Sequence, residues 1–385
     1  ESLALFQYML SLFGCTSLDS LCEGMKDETW EGWDEQNISR YYYFLTTRLF
    51  EYPGITKEQL LRYDQNITSQ TMAISGRRGA FRWKYFQYMA LLFSEIYLDK
   101  FFNDPQGLLD GLNEQVTMLN SEREAADKLP PYVLDDLNKV AFWQATGSGK
   151  TLIMHVNILQ YRHYLEKAGK HATLNRVILL TPNEGLSEQH NGEFKLSSMP
   201  ADIFNKESGS LYAGQEISII DIHKLKEEGK EKTVSVDAFE SNNLVLVDEG
   251  HRGAGGEEWM DKRNRLCSEG FSFEYSATFG QAMKASGKKE MLHLYAKCIL
   301  FDYSYKYFYG DGYGKEYSIL NLAEEQHEEQ RQLYLTACLL AFYQQLKVYD
   351  GKKRELVPFN VEEPLWVFVG SKVNAVRTER GAKVS

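Results

Sequence analysis

Apolar positions at helical spacing open the chain: Leu3, Leu5, Phe6, Met9, Leu10 and Phe13 fall along one helix face. A second apolar-faced segment runs from Arg82 to Phe102 and meets the breaker residues Asn103-Asp104-Pro105. Residues 1–135 are therefore expected to form a mainly helical accessory region. Lys128-Leu129-Pro130-Pro131 reads as a linker after it. From about Asn138 the texture changes to short apolar runs at Val140–Trp143, Arg176–Leu180, Ile217–Ile222, Asn243–Val247 and Phe271–Tyr275. Runs without polar alternation suit strands buried on both faces of a parallel sheet. Their alternation with helical stretches predicts a doubly wound α/β domain over residues 136–320. Lys224–Lys232 reads as a solvated charged loop. A long helix is expected at Asn321–Leu346, acidic at its start as the helix dipole prefers. It belongs to a helix-and-linker segment, 321–364. The apolar run Leu365–Val369 reads as a strand opening a further unit, 365–385.

Composition narrows this picture without changing it. The 385 residues fit about two or three domains of roughly 100–200 residues. A net charge of −11 argues against a strong, passive nucleic-acid binder, but leaves room for a motor with a narrow local groove. The 24 Tyr and 21 Phe read as core packing. Cys15, Cys22, Cys267, Cys298 and Cys338 are odd in number and form no CxxC pair. Reduced thiols in a cytoplasm fit them better than a disulfide scaffold or a zinc site. The apolar stretch Leu3–Phe13 is too short for a bilayer and lacks a basic front, so no membrane partner is expected. The first residue is Glu1 rather than Met, which reads as a fragment or a missing start.

The chemistry begins at Ala145-Thr146-Gly147-Ser148-Gly149-Lys150-Thr151, between the run Val140–Trp143 and an apolar-faced helix expected at Leu152–Leu165. That is the strand–loop–helix frame of a phosphate loop. Glycines let backbone amides approach phosphate, and the helix N-terminus adds partial positive charge. Lys150 is expected to reach the β- and γ-phosphates of ATP, and the Thr151 hydroxyl to hold Mg²⁺. Asp248-Glu249-Gly250-His251 ends the run Asn243–Val247. Asp248 would complete the Mg²⁺ site, Glu249 would orient and deprotonate the attacking water, and His251 would couple ATP state to the nucleic-acid side. Ser276-Ala277-Thr278 ends the next run and would relay contacts to a facing domain. Thr181-Pro182-Asn183 ends the run Arg176–Leu180, where a hydroxyl and exposed amides can grip a nucleic-acid backbone. His223, in Ile222-His223-Lys224, is a weaker second backbone contact.

These segments, QATGSGKT, LLTPNEGLSEQH, LVLVDEGHRG and EYSATF, resemble motifs I, Ia, II and III of superfamily 2 helicases. The restriction-subunit branch of type III restriction enzymes and related phage-defence helicases is the nearest likeness, over about Asn138 to Val376. The resemblance implies a RecA-like ATP-binding motor domain, and makes Trp366–Ser371 motif IV, the start of a second RecA-like domain. The first glycine of the general phosphate-loop pattern is replaced by Gln144, as helicase versions commonly allow. Motifs V and VI, with their arginine fingers, have no counterpart, and no PD…(D/E)xK nuclease cluster follows. ATGSGKT, DEGH and SAT thus describe half of an ATPase site, and residues 1–385 alone are expected to turn over ATP poorly. Phe86-Gln87 resembles an adenine-reading glutamine motif but lies far ahead of Lys150, so a core-helix role is expected for it.

Three readings stay open at this level. The first is a DNA helicase or translocase of a restriction or anti-phage system, with protein partners of such a complex. The second is an RNA-remodelling motor, since superfamily 2 members grip backbone. The third is a nucleotide-binding regulatory module that assembles with partners and does not translocate. A small-molecule kinase would share the phosphate loop but would need neither DEGH nor SAT.

Overall fold

The computed structural model describes residues 3–47, 54–79, 81–204, 217–225, 235–249, 257–286, 289–314, 328–357, 361–367, 376–377 and 383–384. The chain divides into two compact units, Glu1–Lys315 and Glu316–Ser385.

The first unit begins with helices α1 (Ala4–Ser11), α2 (Leu18–Cys22), α3 (Arg40–Thr47), α4 (Lys57–Ser75), α5 (Tyr85–Asn103) and α6 (Pro105–Ser121). Their ends are written in the sequence. Thr56 and Gln59 form a reciprocal capping box at the start of α4. Asp104 caps α6 and Pro105 sits in its first turn, where a missing N–H costs nothing. Helix α5 is buried almost all round, from Tyr85 to Leu98, and includes the polar Ser94 and Glu95. The Pro130-Pro131 segment is tied back on both sides: Asn120 pairs with the Leu129 backbone and Asn113 with that of Tyr132.

The α/β part runs β1 (Lys139–Gln144), α7 (Lys150–Lys167), β2 (Arg176–Thr181), α8 (Glu184–Leu196), β3 (Ala201–Ile203), β4 (Ile217–Asp221), β5 (Asn243–Asp248), α9 (Glu257–Leu266), β6 (Phe271–Ser276), α10 (Phe279–Ser286), α11 (Lys289–Cys298), β7 (Ile299–Tyr303) and α12 (Tyr305–Gly310). The strands form one sheet in the order β3-β4-β2-β5-β6-β1-β7, with every pairing parallel. This is the α/β architecture with a helical N-terminal region that the apolar runs predict. Alternate strand residues enter different cores, as a period of two requires. Val177, Leu179, Leu244 and Leu246 join the core shared with α1, α5 and α7. Ile178, Leu180, Val245 and Val247 join a smaller core with Phe239 and Leu266. Strands β3 and β7 were not anticipated. β3 has three residues, too few to show a pattern, and β7 follows α11 without a break. On β6, Glu274 is fully buried and forms an ion pair with Arg263 of α9, also buried.

The second unit holds α13 (Glu328–Leu356) and a small antiparallel pair, β8 (Val376–Arg377) with β9 (Lys383–Val384). Residues 321–327 of the expected helix lie outside the described residues, and the helix continues to Leu356, ten residues past the expected end at Leu346. Residues 361–367 carry no regular structure, so Leu365–Val367 is not the strand that its apolarity predicts. Trp366 packs against Phe342 of α13, at 5.3 Å between ring centroids. An aromatic with a helix partner can bury its ring without joining a sheet. Residues 368–371, the rest of the expected motif IV, lie outside the described residues, as does 226–234 of the charged run.

Among the described residues no helix is long and apolar enough to cross a membrane. The five cysteines are free.

Candidate active site

Three of the sequence motifs meet at the carboxyl ends of adjacent strands, where open parallel sheets place ligand sites. Strand β6 lies between β5 and β1, with Asp248 beside Tyr275 and Trp143 beside Ser276 in the register. The acid box after β5, the SAT triplet after β6 and the phosphate loop after β1 therefore sit side by side.

The loop has the backbone of an anion cradle. Gly147 and Gly149 have φ of +85° and +90°, a conformation that glycine adopts without strain. A Cβ at Gly149 would also collide with the Gln87 side chain. Among the described residues, the backbone amides of Gly147, Gly149, Lys150 and Thr151 have no intramolecular acceptor. Four orphaned donors at the start of the eighteen-residue helix α7 suit a polyphosphate. The Ser148 hydroxyl and both amide atoms of Gln144 are buried without partners at the base of the loop. The Lys150 ammonium donates to the Gln144 and Ala145 carbonyls at 3.2 and 3.3 Å. Burial lowers its pKa, while the carboxylates of Glu249 and Asp248 pull the other way. The lysine thus stands between the phosphate cradle and the acid box.

Asp248 accepts from the Glu249 backbone N–H at 3.1 Å through Oδ1, and meets His190 Nε2 of α8 at 2.9 Å through Oδ2. Glu249 adopts a left-handed φ of +57°, a strained setting for a residue with a Cβ and one found at functional turns. Among the described residues no cluster of three or more His, Cys, Asp or Glu could hold a metal. Mg²⁺ needs no such cage, because it takes one or two carboxylates and completes its shell with phosphate and water. One carboxylate, Asp248, beside a phosphate cradle that ends in the Thr151 hydroxyl, fits it. Gly250 and His251 lie outside the described residues.

In the triplet, the Ser276 hydroxyl accepts from the Thr278 N–H at 3.0 Å, and the Ala277 carbonyl accepts from Trp143 Nε1 of β1 at 3.1 Å. The Thr278 hydroxyl is buried without a partner. The second group of predicted residues gathers further along the same edge, after β2 and β4, which pair with Thr181 beside Asp221. Thr181 is buried, and its hydroxyl lies 2.7 Å from that of Ser187. The surface of that turn is left to Pro182 and to Asn183, whose side chain caps α8. His223 is exposed on the turn after β4. Lys224 and Glu184 approach within 3.8 Å and link the two turns.

Gln87 departs from the core-helix role expected for it. Its Nε2 donates to the Ser148 carbonyl at 2.8 Å, so α5 touches the phosphate loop. Its neighbour Phe86 stacks on Tyr303 of β7 at 3.9 Å. The dipeptide was visible in the sequence, but its distance from Lys150 along the chain hid a contact that folding makes short.

The phosphate cradle after β1 and the acid box after β5 flank β6 at the carboxyl edge of a parallel sheet, on a RecA-like α/β fold. Residues 111–281 match the family model described as type III restriction enzyme, res subunit. The match contains motifs I, Ia, II and III, and so bears out the likeness to the res-subunit branch of superfamily 2 helicases for this stretch. It supports an ATP-dependent, helicase-type function. Among solved structures the chain is similar to the Sulfolobus solfataricus SWI2/SNF2 ATPase core in complex with dsDNA, at 13% identity and a TM-score of 0.30, covering 42% of this chain and 32% of that one. It is also similar to UvsW of bacteriophage T4 in two structures, each at 15% identity and a TM-score of 0.30. One covers 59% of this chain and 49% of that one, and the other, of the UvsW helicase, covers 75% and 94%. No curated protein matches the chain.

Proposed function

We propose that this chain carries the ATP-binding motor domain of a DNA helicase or translocase in a restriction or anti-phage defence system, hydrolysing ATP with Mg²⁺ in response to nucleic acid. The observation that carries the reading is the convergence of the phosphate loop, acid box and SAT triplet on the ends of β1, β5 and β6. The family description over 111–281 supports the restriction setting.

Each residue then has a task. Within Ala145–Thr151, the free amides of Gly147, Gly149, Lys150 and Thr151 hold the phosphates, and Lys150 neutralises their charge. Thr151 and Asp248 would hold Mg²⁺, which when bound supplies charge neutralisation at the transferring phosphoryl group. Glu249 orients the attacking water and takes its proton, and His251 couples that step to the nucleic-acid side. Ser276, Ala277 and Thr278 carry contacts to a facing domain. Pro182, Asn183 and His223 face the nucleic-acid backbone, with Thr181 holding their turn from within. Residues 365–385 begin a second RecA-like domain in this reading. Without the arginine fingers of motifs V and VI, residues 1–385 alone turn over ATP slowly.

ATP turnover of the full-length protein, measured against duplex DNA, single-stranded DNA and duplex RNA, tests the proposal. Stimulation by DNA above RNA is expected. Stimulation by RNA alone would favour an RNA-remodelling motor. Tight ATP binding with no turnover under any of these conditions would favour a regulatory module.

A further inference from the structure

His190 takes part in no step above, yet it reaches the centre of the site. Its imidazole is almost wholly buried, its Nε2 lies 2.9 Å from Asp248 Oδ2, and its Nδ1 is buried without a partner. Among the described residues Asp248 is the one hydrogen-bond partner of this ring. A buried polar side chain satisfied on one side only is costly to keep. Here its single bond goes to the carboxylate proposed to hold Mg²⁺. Asp248 is thereby fixed at both oxygens, by Glu249 N–H at Oδ1 and by His190 at Oδ2.

The helix that carries His190 is itself held from outside the α/β part. One and two turns further along lie Glu193 and Ser197. Arg78, just past the end of α4, donates to the Ser197 hydroxyl at 2.9 Å and to the Glu193 carbonyl and carboxylate at 2.5 Å each. The pair is mostly shielded from solvent. Ser197 Oγ also meets His155 Nδ1 of α7 at 2.8 Å, and the His155 ring stacks on Phe194 at 4.2 Å. Burial pushes the pKa of His155 down to about 3, so this ring is neutral and α8 is seated on α7 without a competing charge. The register of α8, and with it the place of His190, is set by α7 on one side and by Arg78 on the other.

We infer that His190 is a positioning residue for Asp248, and that the N-terminal helical region, through Arg78, holds the helix from which it acts. The inference rests on the Mg²⁺–ATP reading of the site. A neighbour that orients a metal-ligating carboxylate acts on metal affinity, and its loss typically costs about 10- to 100-fold. The helical region is then part of the ATP site's support, whatever else it binds.

The test uses the full-length protein and Mn²⁺ as an electron-paramagnetic-resonance probe for the metal, with a non-hydrolysable ATP analogue bound. Analogue affinity in EDTA serves as the metal-free control. His190→Leu, which keeps bulk and removes the donor, is expected to weaken Mn²⁺ binding about tenfold while leaving metal-free affinity at the wild-type level. His190→Gln, whose amide reaches a similar point, should restore most of the loss. Arg78→Gln, remote from the metal, should give a smaller loss in the same direction, and stands as an independent reading if His190→Leu fails to fold. Wild-type Mn²⁺ affinity in a folded His190→Leu variant would overturn the inference, as would wild-type affinity in Arg78→Gln. An equal loss of metal-free and metal-dependent binding would reduce His190 to packing. If the wild-type protein gave no analogue-dependent Mn²⁺ signal, the Mg²⁺–ATP reading itself would fall, and this inference with it.

Discussion

The α/β layer and the helical layer of the first unit bury polar groups in opposite ways. In the sheet, polar side chains gather at strand ends, where Gln144, Asp248, Ser276 and Thr278 face one site. A deeply buried carboxylate away from that edge, Glu274, has an arginine partner in Arg263. In the helices, Glu95 lies fully buried on α5 with no cation partner among the described residues, held by Tyr164 Oη at 2.7 Å and Asn66 Nδ2 at 3.0 Å on one oxygen. Its other oxygen has no partner. Asp64 of α4 is similar, bonded to Tyr88 at 2.6 Å and to the Ser39 amide at 2.9 Å. The difference teaches that the sheet concentrates charge where a ligand would use it, whereas the helical layer carries charge at a cost and contributes to the site through hydrogen bonds at its edge, from Gln87 and Arg78.

The largest effect is expected at the strand ends. Glu249→Gln should lower DNA-stimulated ATP turnover by about a thousandfold or more while leaving ATP binding in place, measured by steady-state hydrolysis beside a binding titration. A variant retaining a tenth of the turnover would move the water-activating role elsewhere.

Next comes the paired carboxylate of the sheet. Arg263→Leu leaves Glu274 buried without its guanidinium partner, beside the Tyr295 hydroxyl, which should cost about 3–5 kcal/mol in chemical denaturation. A loss near zero would mean that the pair contributes nothing that the apolar side chain cannot.

The unpaired carboxylate of the helices should behave in the reverse sense. Burial raises Glu95 from its ordinary 4.5 to about 7. The native protein therefore keeps a proton that the unfolded chain releases between about pH 4.5 and 7, so this group's contribution to stability falls as pH rises across that window. Glu95→Gln resembles the protonated form. It should be more stable than wild type by on the order of 3 kcal/mol at pH 8, with the gain vanishing near pH 4.5. A gain independent of pH would contradict the assignment.

The smallest effect is expected where the layers touch. Gln87→Leu removes the donor to Ser148 O and should cost about 1 kcal/mol of stability together with a raised KM for ATP. A stability loss without any change in KM would separate α5 from the site.

Sequence and structure agree most closely where chemistry is local. GSGKT, DEGH and SAT are contiguous, and the runs before them are apolar because a parallel sheet is covered on both faces. Strand positions β1, β2, β4, β5 and β6 could therefore be read within a residue or two. What could not be read was made by tertiary contact. Gln87 meets Ser148, Arg78 meets Glu193 and His190 meets Asp248 across long stretches of chain, and no spacing rule links such pairs. Glu274 hid for the same reason, since a lone acid inside an apolar strand acquires its meaning only from Arg263. The apolar Leu365–Val367 misled in the opposite direction: Leu365 and Val367 are exposed, and apolarity alone does not specify a strand.

In the proposed function the strand ends of β1 and β5 together build one Mg²⁺–ATP site. Titrating a fluorescent ATP analogue into the full-length protein with and without Mg²⁺, for wild type, Lys150→Ala and Asp248→Asn, tests it most directly. Saturable wild-type binding strengthened by Mg²⁺ is expected, with binding lost in Lys150→Ala and the Mg²⁺ strengthening lost in Asp248→Asn. Binding that survives Lys150→Ala unchanged, or that ignores Mg²⁺ in the wild type, would contradict it.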